Sequence, residues 1–273
     1  MGSCNKIGFF GAGNMSRAIV MSLVKNGLKP SSMMIFDIDD CAKNKLCDET
    51  GALQSANQKE LVQQCKYIFL CVKPDAVEQL ISSIHNFLKP TQVLVSIAAG
   101  VTLTQLANYT ATNQKIIRVM PNICAMVEES MSSVTYNSSV SEEDKKEVIS
   151  ILKPLGRVEE IDEKKIHAVT AVSGSSPAFV FMLIEALSDA AVCGGLPRDK
   201  SYRFAAQAVY GAAKMVLETG HHPAVLKDMV CSPGGTTIAA VRSLEEKGFR
   251  ASIFEGVMDC ITKSIDLACK KTS

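Results

Sequence analysis

Tryptophan is absent from the 273 residues, and aromatic residues as a whole make up only 5% of them. A core without large rings must be filled by aliphatic side chains. Ala, Val, Ile and Leu are abundant, which suits helices packed over a buried sheet. An excess of charge of either sign is also missing: 29 Lys and Arg stand against 28 Asp and Glu, a net +1. There is no basic stripe and no interleaving of basic with aromatic residues, so a nucleic-acid partner is not expected. The ten cysteines, at 4, 41, 47, 65, 71, 124, 193, 231, 260 and 269, include no Cys-x-x-Cys, and the four histidines complete no zinc spacing. Thiols without metal or disulfide-scaffold spacing read as reduced residues of an intracellular protein, with no metal. The first strand is expected from about residue 6, leaving no room for a signal or Arg-rich transit peptide. Long uncharged runs are lacking too. The most apolar later stretch, Ala178 to Cys193, carries Glu185 and Asp189 and is read as too short to span a bilayer. The expectation is a soluble, cytoplasmic protein of one large or two ordinary domains, with no membrane partner.

What is present starts at Lys6-Ile7-Gly8-Phe9-Phe10-Gly11-Ala12-Gly13-Asn14-Met15-Ser16-Arg17. A short apolar run stops at two glycines, and a helical pattern follows at once, with Met15, Ile19 and Leu23 at i, i+4 spacing. Gly27 sits where a left-handed residue can end that helix. Strand, glycine turn and helix describe a dinucleotide-binding first unit. Gly11 would allow the tight turn, and Gly13 would let a pyrophosphate approach the positive helix N-terminus. The third position of G-x-G-x-x-G is Ser16 rather than Gly or Ala. The next apolar run, Met33 to Phe36, ends at Asp37, near the ~20-residue offset of a ribose-binding carboxylate. An acid there favours a 2′-hydroxyl over a 2′-phosphate, so Asp37 leans toward NADH without excluding NADPH. Asp39 and Asp40 are neighbouring candidates, and Asp37 could instead only begin the next turn.

The pattern repeats. Tyr67 to Val72 is a continuous apolar run, as expected of a strand covered on both faces. Lys73-Pro74 follows, with Pro74 suited to the first turn of a helix carrying Val77, Leu80, Ile81, Ile84 and Leu88. Val93 to Ile97 forms the next strand and ends at Ala98-Ala99-Gly100, and Thr102 with Gln105 makes a capping box. Ile116 to Met120 is a further strand that stops at Pro121-Asn122. Met131 to Tyr136 reads as another, Ser141 with Asp144 caps a helix, and Val158 to Ile161 would close the sheet. Strands alternating with helices imply an open, mostly parallel sheet with ligands beyond its carboxyl ends. From about Glu163 the strand signal disappears. The remainder reads as helices at 166–171, 177–193, 197–217, 223–230, 236–246 and 249–269. The fold expected is therefore α/β: a Rossmann-like, doubly wound domain over 1–163 and an all-α oligomerisation domain over 164–273. Ala-rich helices with so much apolar surface commonly bury it in a homo-oligomer, the alternative being an intrachain core.

Two glycine-hydroxyl stretches punctuate the helical half, Ser173-Gly174-Ser175-Ser176-Pro177 and Cys231-Ser232-Pro233-Gly234-Gly235-Thr236-Thr237. In the second, Gly-Gly allows successive amides to face one anion while the following helix adds its dipole. Thr236 or Thr237 could cap that helix or direct a hydroxyl at a ligand. The plainer reading is a loop with an N-cap.

The run from Asp228 to Gly248 resembles the signature of the pyrroline-5-carboxylate reductases, and the resemblance extends nearly end to end. It takes in Gly-Ala-Gly-Asn-Met at 11–15, Val-Lys-Pro at 72–74, Ser-Ile-Ala-Ala-Gly at 96–100 and Arg-Val-Met-Pro-Asn at 118–122. It continues through 171–178 and Gly-Ala-Ala-Lys-Met at 211–215. The resemblance implies reduction of 1-pyrroline-5-carboxylate to L-proline with NAD(P)H in proline synthesis. It also implies self-association as dimers and, in many members, decamers. By position it implies cofactor contacts from Gly11, Ala12, Gly13, Asn14, Met15, Asn57, Val72, Lys73, Pro74, Ala98 and Ala99, with Pro121 and Asn122 at the nicotinamide end. Ser232, Gly234, Gly235, Thr236 and Thr237 would hold the substrate, Thr237 standing at the ring nitrogen as the catalytic candidate. Glu163 matches a position that touches proline in some relatives. Two departures are Ser176, where the family commonly has Gly, and Met229, where it often has Asn. Two other readings compete. One is a β-hydroxyacid-type dehydrogenase, for which Lys214 is the superficial catalytic candidate; the other is a dinucleotide-binding regulator without turnover. None of the four histidines fits a catalytic acid.

Overall fold

The computed structural model describes residues 6–269. Cys4, counted above among the thiols, lies outside them. The chain divides into two compact units, one reaching to Gly174 and joined by the chain from Ile261 onward, the other spanning Ser175–Cys260.

The first unit begins β1 (Ile7–Phe10), α1 (Asn14–Lys25), β2 (Met33–Phe36), α2 (Asp40–Thr50), β3 (Leu53–Gln54), α3 (Gln58–Gln64) and β4 (Tyr67–Leu70). It continues with α4 (Val77–Ile84), β5 (Val93–Ser96), α5 (Leu103–Asn108), β6 (Lys115–Met120), β7 (Ser130–Tyr136), α6 (Glu142–Leu152), β8 (Gly156–Glu160) and α7 (Ile166–Val169). The eight strands lie in the order β3-β2-β1-β4-β5-β6-β7-β8. All neighbours are parallel except β6 and β7. Helices cover both faces, so the central strands are buried along their length, which is why they read as continuous apolar runs. Alternation along β1 feeds two cores. Phe9 joins Ile19, Leu23 and Phe69 on one face, and Phe10 joins Leu61, Ile68 and Ile81 on the other. Truncating one such fully buried residue, Ile19 or Ile81, to Ala would cost roughly 2–5 kcal/mol.

The capping box at Thr102 and Gln105 forms, as does the Ser141 cap on the Asp144 amide. Three short elements have no counterpart in the sequence reading. In α2 and α3 polar side chains dominate, and their signal lies in the caps. Asp39 accepts from the Cys41 and Ala42 amides, and Asn57 from the Glu60 amide. The two residues of β3 carry no detectable period. Pro74 sits in a turn and not in a helix, because α4 starts three residues later, at Val77. The same helix ends at Ile84, so His85 and Leu88 fall in and after a 3₁₀ turn.

The second unit contains α8 (Ser176–Cys193), α9 (Arg198–Thr219), α10 (Pro223–Val230), α11 (Thr236–Glu246) and the first half of α12 (Phe249–Cys269). Here α8 and α9 pack along each other. Few side chains are covered within one chain: Phe181, Met182, Phe204 and Phe254 are 60–68% exposed. The reading of 178–193 as too short for a bilayer needs correction. Helical conformation is continuous over Glu163–Cys193, 31 residues, long and apolar enough by length and composition to cross a membrane. Its beginning differs from the α-helix expected over 166–171, because Thr170–Ser175 form a π turn.

Candidate active site

The strand order reverses between β1 and β4, and in open α/β sheets ligands lie beyond the carboxyl ends at such a point. The glycine turn occupies that place. Gly11 has φ +104°, and a Cβ there would stand 2.5 Å from the Cys71 carbonyl oxygen at the end of β4. Only glycine satisfies both conditions. Gly13 has open space on its side-chain face. The first intrahelical bond of α1 runs from the Arg17 amide to the Gly13 carbonyl at 2.9 Å, so the preceding amides of the helix are left for an external partner. Ser16, which takes the third glycine's place, is buried with its hydroxyl beside the Cys71 thiol. Burial pushes that thiol up to about 12, against the lowering effect of the Ser16 hydroxyl. The Ser16 hydroxyl is buried there without a hydrogen-bond partner of ordinary geometry.

Asp37 follows β2. Its Oδ2 accepts the Ala12 amide at 2.6 Å and its Oδ1 the Asp39 amide at 2.9 Å, which fixes the carboxylate against the glycine loop. A cavity of about 240 Å³ opens here, lined by Gly11, Asp37, Val72, Gln58, Gln79 and Ser83 among others. The three polar residues from α3 and α4 were not visible as ligands, since nothing in their local pattern separates them from any solvated helix face. Asn57 is exposed at the N-cap of α3, its Oδ1 engaged by the Glu60 amide. Lys73 and Ala99 are exposed, Pro74 is half-buried, and Ala98 is buried at the end of β5. A cavity beside the glycine turn, open space before a helix N-terminus and a fixed acid fit part of a dinucleotide.

At the end of β6, Pro121 and Asn122 are buried. Asn122 Oδ1 accepts the Cys124 amide at 3.1 Å, and Nδ2 donates to the Ser173 carbonyl at 3.0 Å. Glu163 Oε1 accepts from the Arg118 guanidinium at 2.9 Å and from the Leu103 amide at 2.8 Å. Arg118 is 3% exposed, so this is a charge pair inside the unit. His167 donates or accepts at Ser264 Oγ, 2.9 Å away. Burial holds its pKa below the usual range, with the Arg118 charge acting in the same direction.

In the helical unit, Gly234 has φ +68° and the Gly235 amide closes a turn on the Ser232 carbonyl at 3.0 Å. The N-cap of α11 is Gly235, with no side-chain cap. Neither Thr236 nor Thr237 caps the helix, contrary to one expectation. The hydroxyls stay clear of the backbone, at a positive helix end whose first amides have no intrahelical partner. Thr237 is half-buried; Ser232, Gly234 and Thr236 are exposed. Lys214, the candidate of the competing dehydrogenase reading, is exposed on α9 and paired with Glu218 at 3.5 Å. Among the described residues no group of His, Cys, Asp and Glu could hold a metal ion.

A glycine turn at the sheet's switch point, backed by an acid just after the second strand, defines an α/β dinucleotide-binding protein. Residues 6–100 match a family model described as NADP oxidoreductase, coenzyme F420-dependent, and residues 163–267 match one described as pyrroline-5-carboxylate reductase dimerisation. A pyrroline-5-carboxylate reductase of Escherichia coli (strain K12) is 50% identical over 96% of this chain and 98% of its own. The solved pyrroline-5-carboxylate reductase of Coxiella burnetii superposes with a TM-score of 0.91 at 28% identity, covering 97% of this chain and 99% of the other. That of Plasmodium falciparum, solved with NADP bound, gives 0.87 at 30% identity over 97% and 98%. The chain belongs to the pyrroline-5-carboxylate reductase family.

Proposed function

We propose that the protein reduces 1-pyrroline-5-carboxylate to L-proline with NAD(P)H. The observation that carries this is the Ser232–Thr237 turn: two glycines and two uncommitted hydroxyls at the N-terminus of α11, in a chain alike end to end to reductases of that name. The experiment is NADH oxidation with the cyclic imine against β-keto acids. Oxidation with the imine alone supports the reading; oxidation with a β-keto acid alone, or with neither, removes it.

The substrate is a five-membered imine bearing a carboxylate. When bound, the nicotinamide would supply hydride for the imine carbon, and the ring nitrogen would carry a proton. A protonated imine accepts hydride readily, so the protein's work is alignment and exclusion of water. The amides of Gly234, Gly235 and Thr236, with Ser232, would take the carboxylate at the positive end of α11. The Thr237 hydroxyl would hydrogen-bond the ring nitrogen. Glu163 is assigned to the substrate through the carboxylate oxygen not engaged by Arg118 and Leu103. On the cofactor side, Gly11–Met15 would hold the pyrophosphate, Asp37 the ribose, and Asn57, Val72, Lys73, Pro74, Ala98 and Ala99 the flanks. Pro121 and Asn122 would border the nicotinamide.

The acids Asp37, Asp39 and Asp40 crowd the place of a 2′-phosphate, and the nearby Lys43 is paired with Asp40 at 2.5 Å, which supports a preference for NADH. Functionally we divide the chain at residue 163, with cofactor binding before it and substrate binding and self-association after it. The exposed apolar faces of α8, α9 and α12 support burial between copies, as dimers that assemble further to decamers. The same covering accounts for the apolar run at 163–193 without a membrane. Near-neutral charge supports a cytoplasmic enzyme without nucleic-acid partners.

A further inference from the structure

We infer that Asn122 is a positioning residue, whose carboxamide clasps the Ser173 carbonyl of the π turn and thereby fixes the Pro121–Asn122 turn at the nicotinamide. The inference rests on the cofactor reading above. It starts from Pro177. In an unbroken α-helix the Ser173 carbonyl would accept from the amide at position 177, and proline has none to give. The ring also disfavours helical backbone at the residue before it. At this point the helix widens into the π turn over Thr170–Ser175, and the Ser173 carbonyl accepts from Asn122 Nδ2 at 3.0 Å. Single π turns inside α-helices occur often at functional sites.

The orientation of the carboxamide follows from its partners. Oδ1 faces the Cys124 amide at 3.1 Å, and Nδ2 faces both the Ser173 carbonyl and, at 3.4 Å, the Ser173 hydroxyl. That hydroxyl donates onward to the Met131 carbonyl at 3.1 Å, so toward Asn122 it acts as acceptor. A flipped amide would set oxygen against carbonyl and NH₂ against N–H. Nδ2 is therefore engaged within the protein, at the carbonyl and the hydroxyl of Ser173. The backbone is held in the same way, by the Asn122 amide donating to Ser130 Oγ at 3.3 Å. Contact between the two segments is close: a Cβ on Gly174 would come within 3.1 Å of Met120 Cε. The result is a turn after β6 tied to β7 through the Ser130 hydroxyl and to the π turn through the Asn122 carboxamide.

The test uses two variants of the full-length protein. Asn122→Asp keeps the size and the acceptor for Cys124 but opposes a carboxylate to the Ser173 carbonyl. Pro177→Ala restores an amide that competes for that carbonyl from within the helix. Asn122→Asp should lower kcat about tenfold to a hundredfold, as expected of a misplacement on the order of 1 Å. Affinity for NADH, held by the opposite half of the cofactor, should change little. The deuterium isotope effect with 4-deuterated NADH should rise as hydride transfer becomes limiting. Pro177→Ala should shift both readouts in the same direction but less, and the double variant should be no worse than Asn122→Asp alone. Unchanged kcat and isotope effect in both variants would overturn the clasp, as would parallel loss of kcat and NADH affinity. If Asn122→Asp does not fold, Pro177→Ala alone decides. Should the wild type fail to turn over the imine, the functional reading falls. The emission of bound NADH then judges the clasp: altered in the variants it stands, unaltered it falls.

Discussion

The Arg118 guanidinium and the Glu163 carboxylate meet at 2.9 Å, joining β6 to the first turn of the helical run, and the same carboxylate oxygen takes the first amide of α5. Arg118 is buried and Glu163 only partly so, which makes the pair costly to break from the glutamate side: the guanidinium would stay desolvated without its counter-charge. Glu163→Gln should lower stability on the order of 2 kcal/mol, less than a fully buried pair because water reaches the carboxylate. It should also raise KM for the imine while leaving NADH affinity unchanged. Denaturant midpoints and steady-state kinetics check the two effects separately. A stability loss with unaltered KM would take Glu163 out of the substrate site and leave it as a brace for Arg118.

Asp37 carries a double duty that the offset from the glycine turn does not reveal. Its carboxylate holds the Ala12 amide as well as lining the cavity proposed for the ribose. Asp37→Ser keeps a short acceptor and removes the charge. The ratio of kcat/KM for NADPH to that for NADH should rise about tenfold, the effect of relieving roughly 1.4 kcal/mol of like-charge repulsion. Both cofactors should bind somewhat more weakly, as the loop loses its anchor. An unmoved ratio would mean that Asp37 is only a brace for the glycine loop.

Much of this architecture was legible because its signals are local. Gly11 announces its turn through composition, and the central strands are apolar throughout because both faces are covered. The helix starts at Thr102, Ser141 and Pro223 follow from cap chemistry within four residues. What escaped depends on partners far along the chain. The acceptor for Asn122 lies 51 residues on, and Glu163 is 45 residues from Arg118. Even so, Pro177 four residues after Ser173 was a readable sign that the helix there could not be regular. The caps of α2 and α3 were equally readable at Asp39 and Asn57, but their polar faces carry too weak a period to draw attention. The apolar stretch from Ala178 to Cys193 understates the length of its helix, because helical conformation runs unbroken through the π turn from Glu163.

Below the sheet, away from the cofactor end, Asp144 collects charge from Lys115 at the start of β6 and from Lys66 just before β4. It is 2% exposed, with Lys115 at 2.5 Å, Lys66 at 3.2 Å and the Ser141 hydroxyl at 2.6 Å. Burial alone would raise its pKa; the bonds from Lys115, Ser141 and Lys66 outweigh it and lower the value from 3.8 to about 2. A carboxylate depressed in the folded state stabilises it above the unfolded pKa, and that contribution fades as pH falls through the folded one. The window here is therefore about pH 4 down to 2, and the size is on the order of 2 kcal/mol. Asp144→Asn should show a flatter decline of unfolding free energy across that window than the wild type. Equal slopes would mean that the lysines do not hold the carboxylate ionised.

The last prediction concerns Thr237, where the reaction itself is at stake. Its hydroxyl lies in the first turn of α11, two positions past the N-cap Gly235, and is not used as a cap. Removing it should leave α11 intact, because Gly235 supplies the N-cap geometry, so Thr237→Ala should unfold at nearly the wild-type midpoint. NADH affinity should not change, since no part of the cofactor half is touched. Turnover should drop about tenfold to a thousandfold, the range over which losing alignment or a proton contact at the reacting nitrogen is felt. Thr237→Ser, which retains the hydroxyl, should recover most of that loss. If the serine variant is as slow as the alanine one, the methyl group and not the hydroxyl is what matters. If both turn over at the wild-type rate, the ring nitrogen has its partner elsewhere and Thr237 leaves the site.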